Sequence, residues 1–115
     1  MSRKSPSATS TRLQKQATVF AALGDETRLS LLARLGRGQS FSISQLADGS
    51  RITRQAITKH LQVLEDVKVV RCRRAGRERL FEFNVEPIKD LKQYLDLVSA
   101  QWDQALARLK LFVED

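Results

Sequence analysis

From Ile88 to Phe112 the apolar residues Ile88, Leu91, Leu95, Val98, Trp102, Ala105, Leu109 and Phe112 recur at alternating spacings of three and four. Such a seam requires one long helix, about 37 Å at 1.5 Å per residue. Pro87 suits its first turn, where a missing N–H costs little. The whole chain has 115 residues, so the body built from the rest covers only part of this helix. Burial against a second copy, in an isologous twofold dimer, is the expectation.

Upstream, short helices are marked by their own start and stop signals. Residues 1–10, MSRKSPSATS, lack periodicity and read as a flexible arm. Leu13, Ala17, Val19, Phe20 and Ala21 suit an amphipathic helix over 11–23, ended by Gly24. Asp25 is a good N-cap, with Glu26 in the first turn. Leu29, Leu31, Leu32 and Leu35 give the second helix an apolar face, closed by Gly36 and Gly38. Ser42 and Gln45 fit a capping box for a short third helix over about 43–48, with Ile43, Leu46 and Ala47 inward. After a turn at Asp48-Gly49-Ser50, Thr53 caps a fourth helix reaching about Asp66.

A short helix, a tight turn and a longer helix make a helix-turn-helix. Two strand-like stretches follow, 69–73 and 80–85, with Val70 and Cys72, then Phe81, Phe83 and Val85, alternating against polar residues. Arg74-Ala-Gly-Arg77 supplies the turn of a basic hairpin, a wing. The predicted fold is a winged helix-turn-helix, mainly α with a small β-hairpin, in the order α-α-α-α-β-β-α. Residues 11–85 form the winged unit and 86–115 the dimerisation helix of the same single domain.

Charge points to the partner. The formal net charge is +7 and the pI near 10.2. Between Arg51 and Arg79 stand nine Lys and Arg against Glu65, Asp66 and Glu78, so that window carries +6 of the +7. A surplus so concentrated suits phosphates. Other chemistry lacks its groups. One His and one Cys, with no Gly-rich phosphate loop, give a catalytic or cofactor site nothing to build on. The single Cys72 excludes an intrachain disulfide framework and a multi-thiolate zinc site, and alternation turns it toward the core with Val70. No apolar run is long enough to span a bilayer and the N-terminus has no signal-peptide core, so a cytoplasmic location is expected.

On the fourth helix Ile57, His60, Leu61 and Leu64 share the inward face. Arg54, Gln55, Thr58, Lys59 and Gln62 are left outward, donor-rich and suited to the major groove of double-stranded DNA. Arg pairs with guanine, Gln with adenine, and Thr meets a thymine methyl or a phosphate. Arg54, Gln55 and Thr58, near the helix N-terminus, are the expected base readers. Lys59 and Gln62 are the expected phosphate contacts, and Thr53 as cap lies near a phosphate. In the wing, Arg73, Arg74, Arg77 and Arg79 are the candidate contacts, with Arg71 and Arg51 as background attraction. The expected dimer contacts are Leu13 and Phe20 of the first helix with Leu91, Leu95, Val98, Trp102, Ala105 and Leu109 of the last. A rival reading, RNA binding or a protein-interaction module, calls for exposed aromatics, whereas Phe81, Phe83, Trp102 and Phe112 fall on core or dimer positions.

The run Phe20-Ala-Ala-Leu-Gly-Asp25-Glu-Thr-Arg28-Leu, then Gln45-Leu-Ala, then Thr53-Arg-Gln-Ala-Ile-Thr-Lys-His60-Leu-Gln-Val-Leu64-Glu and the wing to Phe83, resembles the ArsR/SmtB family of bacterial winged-helix regulators. The resemblance covers about 18–115. It implies a homodimeric DNA-binding regulator, usually a repressor that leaves its operator when an effector arrives. Arg28 belongs to the family pattern; an intramolecular ion pair and a phosphate contact are both open to it. The chain departs from the metal-sensing members. Ser42 and Ser44 stand where a frequent Cys-x-Cys site would be, and residues 86–115 contain no His, so no metal site carries over. Persulfide sensing in the family uses paired cysteines, and only Cys72 exists. The sequence names no effector.

Overall fold

The computed structural model describes residues 8–114; residues 1–7 of the expected arm, and Asp115, lie outside the described residues. The order is α1 (Ala8–Leu23), α2 (Glu26–Leu35), β1 (Phe41–Ser42), α3 (Ile43–Ala47), α4 (Arg54–Asp66), β2 (Val70–Ala75), β3 (Glu78–Phe83) and α5 (Glu86–Glu114). The fold is the winged helix-turn-helix, with one strand more than the expected order. α1 begins at Ala8, so the end of the expected arm is helical.

Local signals set the helix boundaries. Asp25 caps α2 by accepting the Arg28 backbone N–H. Ser42 and Gln45 form the full capping box of α3, each side chain accepting the other's backbone N–H. Thr53 caps α4 by accepting from Ala56 N–H at 3.1 Å. α4 ends in a Schellman-type exit: Val69 N–H donates to the Leu64 carbonyl at 3.1 Å and Lys68 N–H to that of Glu65 at 2.9 Å. Lys68 takes the left-handed conformation this requires, with φ of 66°, and the Asn84 amide donates to its carbonyl at 2.8 Å. The chain therefore turns sharply from α4 into the wing.

The sheet order is β1-β3-β2, all antiparallel, with Phe41 opposite Phe81 and Val70 opposite Phe83. The hairpin runs 70–75 and 78–83 rather than the expected 69–73 and 80–85, leaving a tight turn at Gly76 and Arg77. Gly76 holds φ of 65°, a conformation that carries no steric cost without a Cβ. Val85, expected within the second strand, is outside it and exposed.

The core lies between α2, α3, α4 and the sheet, where Leu35, Leu46, Ile57, Leu61, Leu64 and Phe81 are buried. Arg34 ties α2 to α3 by donating to the Leu46 carbonyl at 3.0 Å and the Gln45 carbonyl at 3.2 Å, which satisfies acceptors at the end of α3. Leu29, expected on the inner face of α2, is exposed, because the core faces Leu31 and Leu35. α1 buries Gln16, Val19 and Ala22, while Leu13, Ala17, Phe20 and Ala21 face outward.

α5 is 29 residues long, about 43 Å. Only its first turns are covered by the body. Leu91, expected at the dimer seam, is 4% exposed and packs in the chain's own core. Beyond it the helix leaves the body: Trp102 is 68% exposed and Phe112 80%. The radius of gyration is accordingly 19.1 Å, against about 13 Å for a compact chain of this length.

Candidate nucleic-acid interface

α4, capped and basic at its N-terminus, is joined at its other end to the basic wing by the sharp turn at Lys68. On α4, Ile57, Leu61 and Leu64 are buried, and the opposite side carries Thr53, Arg54, Gln55, Thr58, Lys59 and Gln62, all exposed. Their heads differ in freedom. The Thr53 hydroxyl is engaged as the cap. Thr58 donates its hydroxyl to the Arg54 carbonyl at 2.8 Å, which leaves its methyl and a lone pair outward. Gln62 donates to Asp66 at 2.9 Å along the helix. For Arg54, Gln55 and Lys59 no side-chain hydrogen bond or ion pair is present among the described residues. Solvated donors beside a helix N-terminus, where four backbone N–H groups lack helical acceptors, suit an anionic ligand.

His60 is not simply a core residue. It is half-buried, and its Nδ1 lies 3.2 Å from Arg28 Nη1 and 3.8 Å from Asp25 Oδ2. The ring accepts from Arg28 only as the neutral Nε2–H tautomer. Arg28 also donates to the Ala21 and Ala22 carbonyls at the end of α1. One guanidinium thus joins α1 to α4, which assigns Arg28 an intramolecular task. The Arg28 backbone N–H holds the Asp25 carboxyl below its ordinary value, helped by the charge of the nearby Arg28 guanidinium and opposed by desolvation. A lowered carboxyl pKa stabilises the fold above the unfolded-state value, and this contribution is lost as pH falls through the folded one. Asp25→Ala is therefore expected to melt below the unsubstituted chain at neutral pH, with the gap closing below about pH 4. A gap unchanged in acid would show that the carboxylate does not carry the effect.

The wing divides its arginines by face. Arg74 and Arg79 lie directly opposite one another across the hairpin, on the face that carries Cys72 and Phe81. Like charges in that position repel, an arrangement that a polyanion relieves. Arg79 sits over the Phe81 ring at 5.9 Å, and Arg77 occupies the tip. Neither Arg74 nor Arg77 has an ion pair among the described residues. Arg73 differs from the expectation of a free contact: its Nε is 3.4 Å from Glu82 Oε2, and Arg71 Nε is 3.9 Å from Oε1. Sequence reasoning missed Glu82 because its task depends on strand register. The signal available was an acidic residue set between two phenylalanines, Phe81 and Phe83, in the second strand of an arginine-rich hairpin. Cys72 is half-buried against the core.

Among the described residues no three His, Cys, Asp or Glu side chains gather closely enough to hold a metal ion, and no helix is long and apolar enough to cross a membrane.

Comparisons with known proteins agree with this geometry. Residues 23–73 match a family model described as a helix-turn-helix domain. The chain is 44% identical over 80 residues to the HTH-type transcriptional regulator YuzN of Bacillus subtilis, covering 64% of this chain and 86% of that protein. It is 34% identical over 64 residues to the transcriptional repressor SmtB homolog of Synechocystis, covering 56% of this chain and 48% of that one. Among solved structures, an ArsR-like transcriptional regulator from Rhodococcus superposes with a TM-score of 0.78 at 36% identity, over 89% of this chain and 95% of the other. With the winged fold, the capped basic helix and these relatives together, the chain belongs to the ArsR family of helix-turn-helix transcriptional regulators.

Proposed function

We propose that the chain acts as a homodimeric repressor that binds an inverted-repeat operator in double-stranded DNA, and that no metal ion triggers its release. The observation that carries the reading is the exposed set Arg54, Gln55 and Lys59 on the N-terminal half of α4, which has no side-chain partner among the described residues, together with a wing whose Arg74 and Arg77 have no ion pair among them. Arg54, Gln55 and Thr58 read bases; Lys59, the Thr53 turn and the wing hold phosphates. Gln62, bonded to Asp66, serves at the edge. Residues 11–85 supply the reading unit and α5 the pairing surface, in a cytoplasmic regulator without catalytic activity. Repression is the role printed for the Synechocystis relative. Ser42 and Ser44, and an α5 without histidine, support the absence of metal control.

Pairing rests on the uncovered apolar residues Leu13 and Phe20 of α1 and Leu95, Trp102, Ala105 and Leu109 of α5, together with the half-buried Val98. A second copy covers both helices at once through a twofold axis. The exposed aromatics Phe20, Trp102 and Phe112 lie on these helices and not among the wing arginines, which disfavours base stacking on RNA. A mobility shift on the gene's own upstream region tests the reading. Retention that survives excess random DNA and RNA is expected; equal competition by either would overturn it.

A further inference from the structure

Glu82 is the carboxylate on which the wing's outer face converges. In the register of the sheet it stands directly opposite Arg71, with Arg73 one step along the same face. Its Oε2 accepts from Arg73 Nε at 3.4 Å and from the Ser40 hydroxyl at 3.1 Å, and its Oε1 lies 3.9 Å from Arg71 Nε. Ser40 precedes β1, so the carboxylate is anchored from the far side of β3 while it faces two arginines on β2. Both arginines are more than half exposed and Glu82 about one third.

We infer that Glu82 is a built-in competitor for phosphate: it holds Arg71 and Arg73 to the sheet and so limits the wing's affinity for the DNA backbone. The inference rests on the proposed reading that the wing touches DNA. An exposed ion pair is worth little to folding, because solvent screens it. The same pair matters more to binding, since an arginine held by a carboxylate releases no counterion from DNA until that contact is given up. The hairpin is thereby divided in function as it is in geometry. Arg74, Arg77 and Arg79 at the tip are ready for phosphate, and Arg71 and Arg73 at its base are held in reserve. Ser40 has a positioning role, since its hydroxyl fixes the carboxylate where both arginines reach it.

The test compares Glu82→Gln with Glu78→Gln. Glu78 is exposed on the same hairpin and has no ion pair among the described residues, so its substitution makes the same change in net charge without releasing an arginine. Binding of each full-length variant to a random-sequence duplex is measured over a salt series, with thermal melts to verify folding. For Glu82→Gln the slope of log affinity against log salt is expected to steepen by about 1–2, one unit for each arginine freed, with affinity at low salt several-fold above that of Glu78→Gln. Equal effects of the two substitutions, or none for Glu82→Gln, would overturn the inference. Arg77→Ala in the unsubstituted chain separates the two levels. If it weakens binding to all sequences while Glu82→Gln does nothing, the wing reading stands and the inference fails. If Arg77→Ala has no effect, the wing reading itself fails.

Discussion

Trp102→Glu is expected to turn a dimer into a folded monomer. Trp102 is 68% exposed in the single chain, so its replacement removes almost nothing from the chain's own core. The cost falls on association. The seam residue would be replaced by a carboxylate, and the proposed twofold axis would bring a second carboxylate to the same interface. Losing a central aromatic anchor costs about 2 kcal/mol or more, and burying charge adds to it, enough to shift the dissociation constant by well over tenfold. Sedimentation velocity is expected to show the monomer, with an unchanged circular-dichroism spectrum. A dimer that persists would remove the uncovered seam of α5 as the pairing surface. A substitution at Leu91 would not discriminate in this way, because Leu91 belongs to the core and its loss would also lower stability.

Arg54→Ala is the second large effect. The guanidinium has no intramolecular partner among the described residues, so its removal leaves no buried group unsatisfied and the fold is expected to melt as before. A bidentate contact to guanine is worth about 1–3 kcal/mol of discrimination, a loss of about 5- to 150-fold in operator affinity, with relaxed preference at one operator position. Random DNA is expected to be bound almost as before. Equal losses on operator and random DNA would make Arg54 a phosphate contact, and Gln55 and Thr58 would then have to carry the base reading.

The parts of this molecule that were legible in the sequence are those fixed by neighbours along the chain. Asp25, the Ser42–Gln45 pair and Thr53 each satisfy donors within three residues of themselves, so the helix starts could be read directly. The outward set on α4 followed from helical periodicity for the same reason. What could not be read depends on residues that meet only after folding. β1 has two residues and exists because Phe41 finds Phe81 across the sheet. Arg28 meets His60 at a separation of 32 residues, so the histidine showed its apolar spacing but not its partner. Arg73 looked like any other wing arginine until the register put Glu82 beside it. The outward stripe of α1 was visible as Leu13, Ala17, Phe20 and Ala21, yet periodicity alone could not tell a face turned to the core from one turned to a second copy. Gln16 and Val19 took the core side.

Selection of bound duplexes from a random-sequence pool tests the central claim most directly, because it needs no knowledge of the operator. Two recognition helices related by a twofold axis are expected to enrich an inverted repeat whose half-site centres lie about 10 bp apart, or a multiple of that turn. The Arg54→Ala variant should enrich the same repeat with one position relaxed. A pool without enrichment, or an asymmetric single site, would contradict specific reading by a symmetric pair of α4 helices.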